Sequence, residues 1–170
     1  MHSQANRQFC LAMHLIWDGS ESDSAEFETL LRHAAVALPM ARTLLADGLL
    51  KQSPPSSADM TDARSLLISA ARDGDLDALR MLSGWMDPKA FDASSILPVP
   101  DQCAWSQLLQ RLQEEGCFGR GEFEQWATLS GYPAPNLMAM SVTDSAAAQT
   151  RATQLVAVQL DQTRAQLGCN

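Results

Sequence analysis

The chain has 170 residues, 46% of them apolar, which is enough for one hydrophobic core and too apolar for a disordered segment. Aromatics make up only 6%, and β-branched runs are nearly absent, so a β-sandwich or barrel is excluded. The net charge is −8, and the 12 basic residues are scattered singly, with Lys51 and Lys89 as the lysines, so nucleic acid is excluded as a partner.

Ala, Leu, Gln, Met, Arg and Glu dominate, and these residues favour helix. Ser3 caps a first helix to Trp17, with Phe9, Ala12, Met13 and Ile16 at helical spacing. Its run from Phe9 to Trp17 contains His14 and lacks a small-residue cleavage pattern, so it reads as a helix rather than a signal peptide. Asp18 to Ser24 is a polar loop. Asp23 followed by Glu26 resembles a capping box and opens a helix over Ala25 to Ala37. Pro39 starts a short helix to Ala46, which Gly48 closes. Residues 51–60 form a loop rich in Pro and Ser, not a domain boundary.

Thr61 begins the next helix, to Arg72. Asp73-Gly74 turns the chain, and Asp75 caps a helix bearing Leu76, Leu79, Met81 and Leu82. Asp87-Pro88 is a further helix start, and Ser94 to Pro100 is a loop. Asp101 to Glu115 forms a helix with the stripe Trp105, Leu108, Leu109 and Leu112, stopped by Gly116. Glu122 to Leu129 follows, then Gly131 to Pro135 breaks the chain. A long helix runs from Thr143 or Asp144 to Leu167, with Gly168 as the stop. The expectation is one all-α domain over 1–170, with seven to nine mostly short helices stacked as antiparallel hairpins.

The string Ser65-Leu66-Leu67-Ile68-Ser69-Ala70-Ala71-Arg72-Asp73-Gly74-Asp75-Leu76-Asp77-Ala78-Leu79-Arg80-Met81-Leu82 resembles the helical hairpin of an ankyrin repeat. The small pair Ala70-Ala71 permits close helix approach, Gly74 makes the turn, and the leucines supply the inner face. A fainter copy spans 29–48, and the two starts, Thr29 and Ser65, are spaced near the family's period of about 33 residues. Both copies lack the family's threonine-proline-leucine-histidine opening, and the first has Leu38-Pro39 at the turn. The resemblance implies protein binding without catalysis or cofactor.

Chemistry-bearing residues are sparse. The histidines are His2, His14 and His33, and Cys10 with His14 shares a helix face at metal-ligand spacing but lacks further ligands. No nucleophile-elbow or H-E-x-x-H pattern occurs, so a pairing of Cys10 or Cys117 with His33 depends wholly on the fold. The Gly119-Arg120-Gly121 turn, which could hold an anion, has no P-loop lysine. Glu26/Glu28 and Glu114/Glu115 sit at helix ends, where a solvated role is the simpler one. Cys10, Cys103, Cys117 and Cys169 form no C-x-x-C; their even number permits two disulfides in three pairings, and free, partly buried thiols in a reducing compartment are the preferred reading.

The resulting expectation is a non-catalytic protein-binding module, either a toxin-neutralising protein or a secretion chaperone. It needs no metal or cofactor, does not enter a membrane, and meets a partner with a basic surface through Asp73, Asp75, Asp77 and Trp85. The alternative is a small enzyme or ligand-sensing domain whose site only the fold assembles.

Overall fold

The computed structural model describes residues 2–17, 24–52, 54–84, 96–118 and 142–169, and every regular element among them is a helix. Seven helices follow in order: α1 (His2–Trp17), α2 (Ser24–Ala35), α3 (Pro39–Leu50), α4 (Ser57–Arg72), α5 (Leu76–Leu82), α6 (Val99–Glu114) and α7 (Val142–Leu167). The all-α expectation therefore holds. The helix expected over 122–129 and the start at Asp87-Pro88 lie outside the described residues. The chain divides into two compact units, Met1–Ala70 and Ala71–Asn170.

In the first unit α1 packs on α2 and α2 on α3. Both pairs are antiparallel: the start of α1 and the end of α2 line one cavity, and the start of α2 and the end of α3 line another. The core consists of Ala12, Leu31, Ala34, Ala35, Ala41 and Leu45, with Phe9, Phe27, Leu30, Leu38, Leu44 and Leu66 packed against it. Small alanines at the crossings let the backbones approach, and the buried leucines contribute roughly 1.5–3 kcal/mol each relative to exposure.

Most helix ends fall within two residues of expectation, and two boundaries move by four. Helix α3 passes through Gly48 to Leu50, and Gly48 lacks the positive φ of a stop glycine. Flanking Leu49 is buried, so packing of the last turn outweighs the propensity cost of one glycine, about 1 kcal/mol. Helix α4 starts four residues earlier than Thr61, at Ser57. A reciprocal cap explains this: the Ser56 Oγ accepts from Asp59 N at 3.1 Å, while Asp59 Oδ2 accepts from Ser56 N at 3.0 Å. The Ser-x-x-Asp spacing was visible in the sequence inside what reads as loop.

In the second unit α5 packs on α6 and α6 on α7. The core side chains include Leu79, Leu82, Cys103, Trp105, Leu108, Leu109 and Leu112. Gln102 sits buried with its Nε2 donating to the Leu97 carbonyl at 2.8 Å, which satisfies a carbonyl ahead of the helix. Helices α6 and α7 are not a hairpin. They run parallel: Arg151 pairs with Asp101 near the start of α6 at 2.6 Å, and Arg164 pairs with Glu115 at its end at 3.1 Å.

The cysteines correct the free-thiol expectation. Cys117 and Cys169 are bonded as a disulfide, whereas Cys10 and Cys103 are in no disulfide. The bond forms because both helices stop the same way. After α6, Gly116 N donates to Gln113 O at 3.0 Å and Cys117 N to Leu112 O at 2.9 Å. After α7, Gly168 N donates to Ala165 O at 3.4 Å and Cys169 N to Arg164 O at 3.2 Å. Both glycines have positive φ, so each is a Schellman stop with a cysteine one residue beyond. Two parallel helices ending in register place the two thiols together.

The fully buried positions of α7 are mostly polar. Ala152, Gln159 and Thr163 are its buried residues. Gln159 Oε1 and Thr163 Oγ1 are buried without a hydrogen-bond partner, each at a cost of roughly 1–3 kcal/mol. Glu115 Oε2 also lacks a well-aligned hydrogen bond, although Arg164 Nη1 lies within ion-pair distance.

Candidate functional site

The connection between α2 and α3 carries two of the four large apolar side chains that stand exposed among the described residues. After Ala35 the chain turns, with Leu38 N donating to Ala34 O at 2.9 Å, and Pro39 begins α3 with its φ preset. That turn leaves Val36 75% exposed and Met40 55% exposed. Burying either would remove apolar area from water, and isolated side chains of this kind are ordinary. Here Val36 adjoins two depressions.

One cavity, of about 480 Å³, is lined among others by Arg32, Val36, Arg42, Asp62, Leu66 and Ser69. The other, of about 600 Å³, is lined by Gln4, Gln8, His33, Val36 and Arg42 among others. Val36 and Arg42 belong to both, so the two depressions flank one ridge. Arg42 braces the ridge: its Nε donates to the Ala35 carbonyl at 2.7 Å and its Nη1 to Ser69 Oγ at 3.0 Å. The guanidinium thereby ties the end of α2 and α3 to α4. Arg32 is held by Glu28 one turn back, at 2.6 Å and 2.8 Å.

The residues singled out in the acidic turn have local duties. Asp75 Oδ1 accepts from Ala78 N at 2.9 Å and caps α5. Asp77 pairs with Arg80 at 2.8 Å, three residues on. Gly74, between Asp73 and Asp75, has φ +85, and a Cβ there would come within 2.9 Å of the Gln166 Cβ, so the end of α7 sits on this turn. Trp85 lies outside the described residues. Asp73 and Asp75 flank Gly74 at this turn and Asp77 follows in the first turn of α5, with the end of α7 beside Gly74.

The catalytic pairings have little geometry behind them. Cys117 is spent in its disulfide, and a bonded sulfur has no thiolate to act as nucleophile. Cys103 is buried, and burial pushes its thiol pKa up, which keeps it protonated and unreactive. Among the described residues no group of three His, Cys, Asp or Glu side chains is placed to hold a metal ion. Likewise, no described helix is long and apolar enough to cross a membrane.

The sequence reading missed the Val36–Met40 corner because neither residue belongs to a helical stripe. The available signal was an apolar pair flanking Leu38-Pro39, where one helix ends and the next must start. No protein-family model, curated protein or solved structure matches the chain.

Proposed function

We propose that the chain is a non-catalytic protein-binding helical module and that the α2–α3 corner is its main contact face. The observation that carries this reading is the exposed corner: Val36 stands between two open depressions and Met40, four residues on, is also exposed, rather than both lying at the floor of a closed pocket. A small-molecule site buries its apolar groups at the floor of a cavity, whereas a protein interface presents them outward to be covered. The ankyrin-like hairpin at 65–82 fits the same role. The net charge of −8 suits a partner with a basic surface, which would meet the acidic turn as a second contact. Toxin neutralisation and secretion chaperoning both use such surfaces, and we assign the chain to the first, acting in the cytoplasm.

The test is capture of binding proteins on immobilised wild type, on Val36→Glu with Met40→Glu, and on Asp73→Lys with Asp77→Lys. The third variant spares the Asp75 cap. One partner, retained at stoichiometric level by the wild type and lost on the glutamate variant, supports the corner as the face. Loss on the lysine variant alone would transfer the site to the acidic turn. Equal retention by all three would remove both faces, and no retained protein at low salt would remove the binding role.

A further inference from the structure

The disulfide joins the two places where α6 and α7 end, and the seam between those helices buries polar groups without partners. We propose that Cys117 and Cys169 form a redox-operated latch: oxidised, it fastens the end of α7 to the end of α6; reduced, it lets α7 come away.

Three independent observations carry this. First, the staple is placed where it has most leverage. Each sulfur lies one residue past a Schellman glycine, so the bond spans two helix ends without distorting either helix. Second, the seam is extensive but poorly satisfied. Gln159 Oε1 and Thr163 Oγ1 are buried in α7 without partners. The ion pairs Arg151–Asp101 and Arg164–Glu115 are partly solvated and therefore weak. Parallel helices also place two partially negative C-terminal ends side by side, which opposes their approach. Third, both states are chemically accessible. Cys117 and Cys169 are half-buried, so an attacking thiolate can reach the bond. Cys169 Sγ lies 3.3 Å from the Arg164 carbonyl oxygen, an acceptor for the thiol once it is reduced.

The chemistry is ordinary exchange. Two glutathione thiolates reduce the bond in turn, through a mixed disulfide, and leave as one oxidised glutathione while Cys117 and Cys169 gain two electrons and two protons. Oxidised glutathione runs the step backwards. In a reducing compartment disulfides of this kind are transient and regulatory rather than structural, which is the behaviour the latch requires. Release has a defined consequence: α7 leaves the Asp73-Gly74-Asp75 turn, against which Gln166 and Leu167 now pack.

The experiment is amide hydrogen exchange on the full-length wild type in glutathione buffers from fully oxidised to fully reduced. A peptide digest of each sample, run without reductant, shows whether 117 and 169 are linked. The expected result is the linked peptide in oxidised buffer, with the α7 amides and the 73–75 turn exchanging at least about ten-fold faster once reduced, while α2 and α3 are unchanged. Cys117→Ser in oxidised buffer should match the reduced wild type. Absence of the linked peptide at every ratio overturns the proposal. So does equal protection of α7 in both states, or a loosening spread evenly over the whole chain, which marks a plain structural bond.

Discussion

Gly74 and Gly48 show how one residue type does opposite work. Gly74 has φ +85 and no room for a Cβ against Gln166, so Gly74→Ala should cost about 2–3 kcal/mol in a denaturant titration. Gly48 is inside α3 and meets nothing within 4 Å, so Gly48→Ala should stabilise by about 0.5–1 kcal/mol. The cysteines separate in the same manner. Cys10 is exposed and Cys103 is buried with a raised thiol pKa, so a maleimide should label Cys10 in native protein and Cys103 only on unfolding. Asp59 carries a pH signature. The Ser56 side-chain hydroxyl, and then its backbone N–H, hold the Asp59 carboxylate below its ordinary pKa of 3.8. A depressed folded pKa means the cap's contribution is complete above 3.8 and fades as pH falls through the folded value. Ser56→Ala should move the Asp59 pKa upward in an NMR titration, and an unmoved value would remove the cap as its cause.

At the scale of elements, helix existence was legible because stripes such as Trp105, Leu108, Leu109 and Leu112 repeat at helical spacing. The stops at Gly116 and Gly168 were legible too. Their joint meaning was not: each is followed by a cysteine, and only the parallel docking of α6 on α7 makes the two Gly-Cys pairs neighbours. The sequence separation of 52 gives the bond a large effect on the unfolded chain. By loop-closure entropy its removal should cost the unit that holds it, Ala71–Asn170, about 4 kcal/mol. Comparing urea unfolding of wild type and the Cys117→Ser, Cys169→Ser double variant under oxidising conditions checks this. A difference below about 1 kcal/mol would show that the unfolded ensemble is not constrained as that model assumes.

For the whole molecule, composition decides more than any motif. A chain poor in β-branched runs and rich in Ala and Leu becomes helices, and a net charge of −8 keeps most of its surface solvated. The proposed face departs from that average. Val36 and Met40 are already exposed, so the double glutamate substitution should shift stability by no more than about 0.5 kcal/mol while partner capture falls. A melting curve beside the capture experiment separates lost binding from lost folding. What the sequence determined by itself was the class, the helices and most of their ends, because periodicity, caps and stop glycines act within a few residues of one another. Tertiary structure alone decided which helices pair, which run parallel, which cysteines bond and which apolar residues stay uncovered. Those outcomes depend on contacts between residues far apart in the chain, where local propensity carries no information.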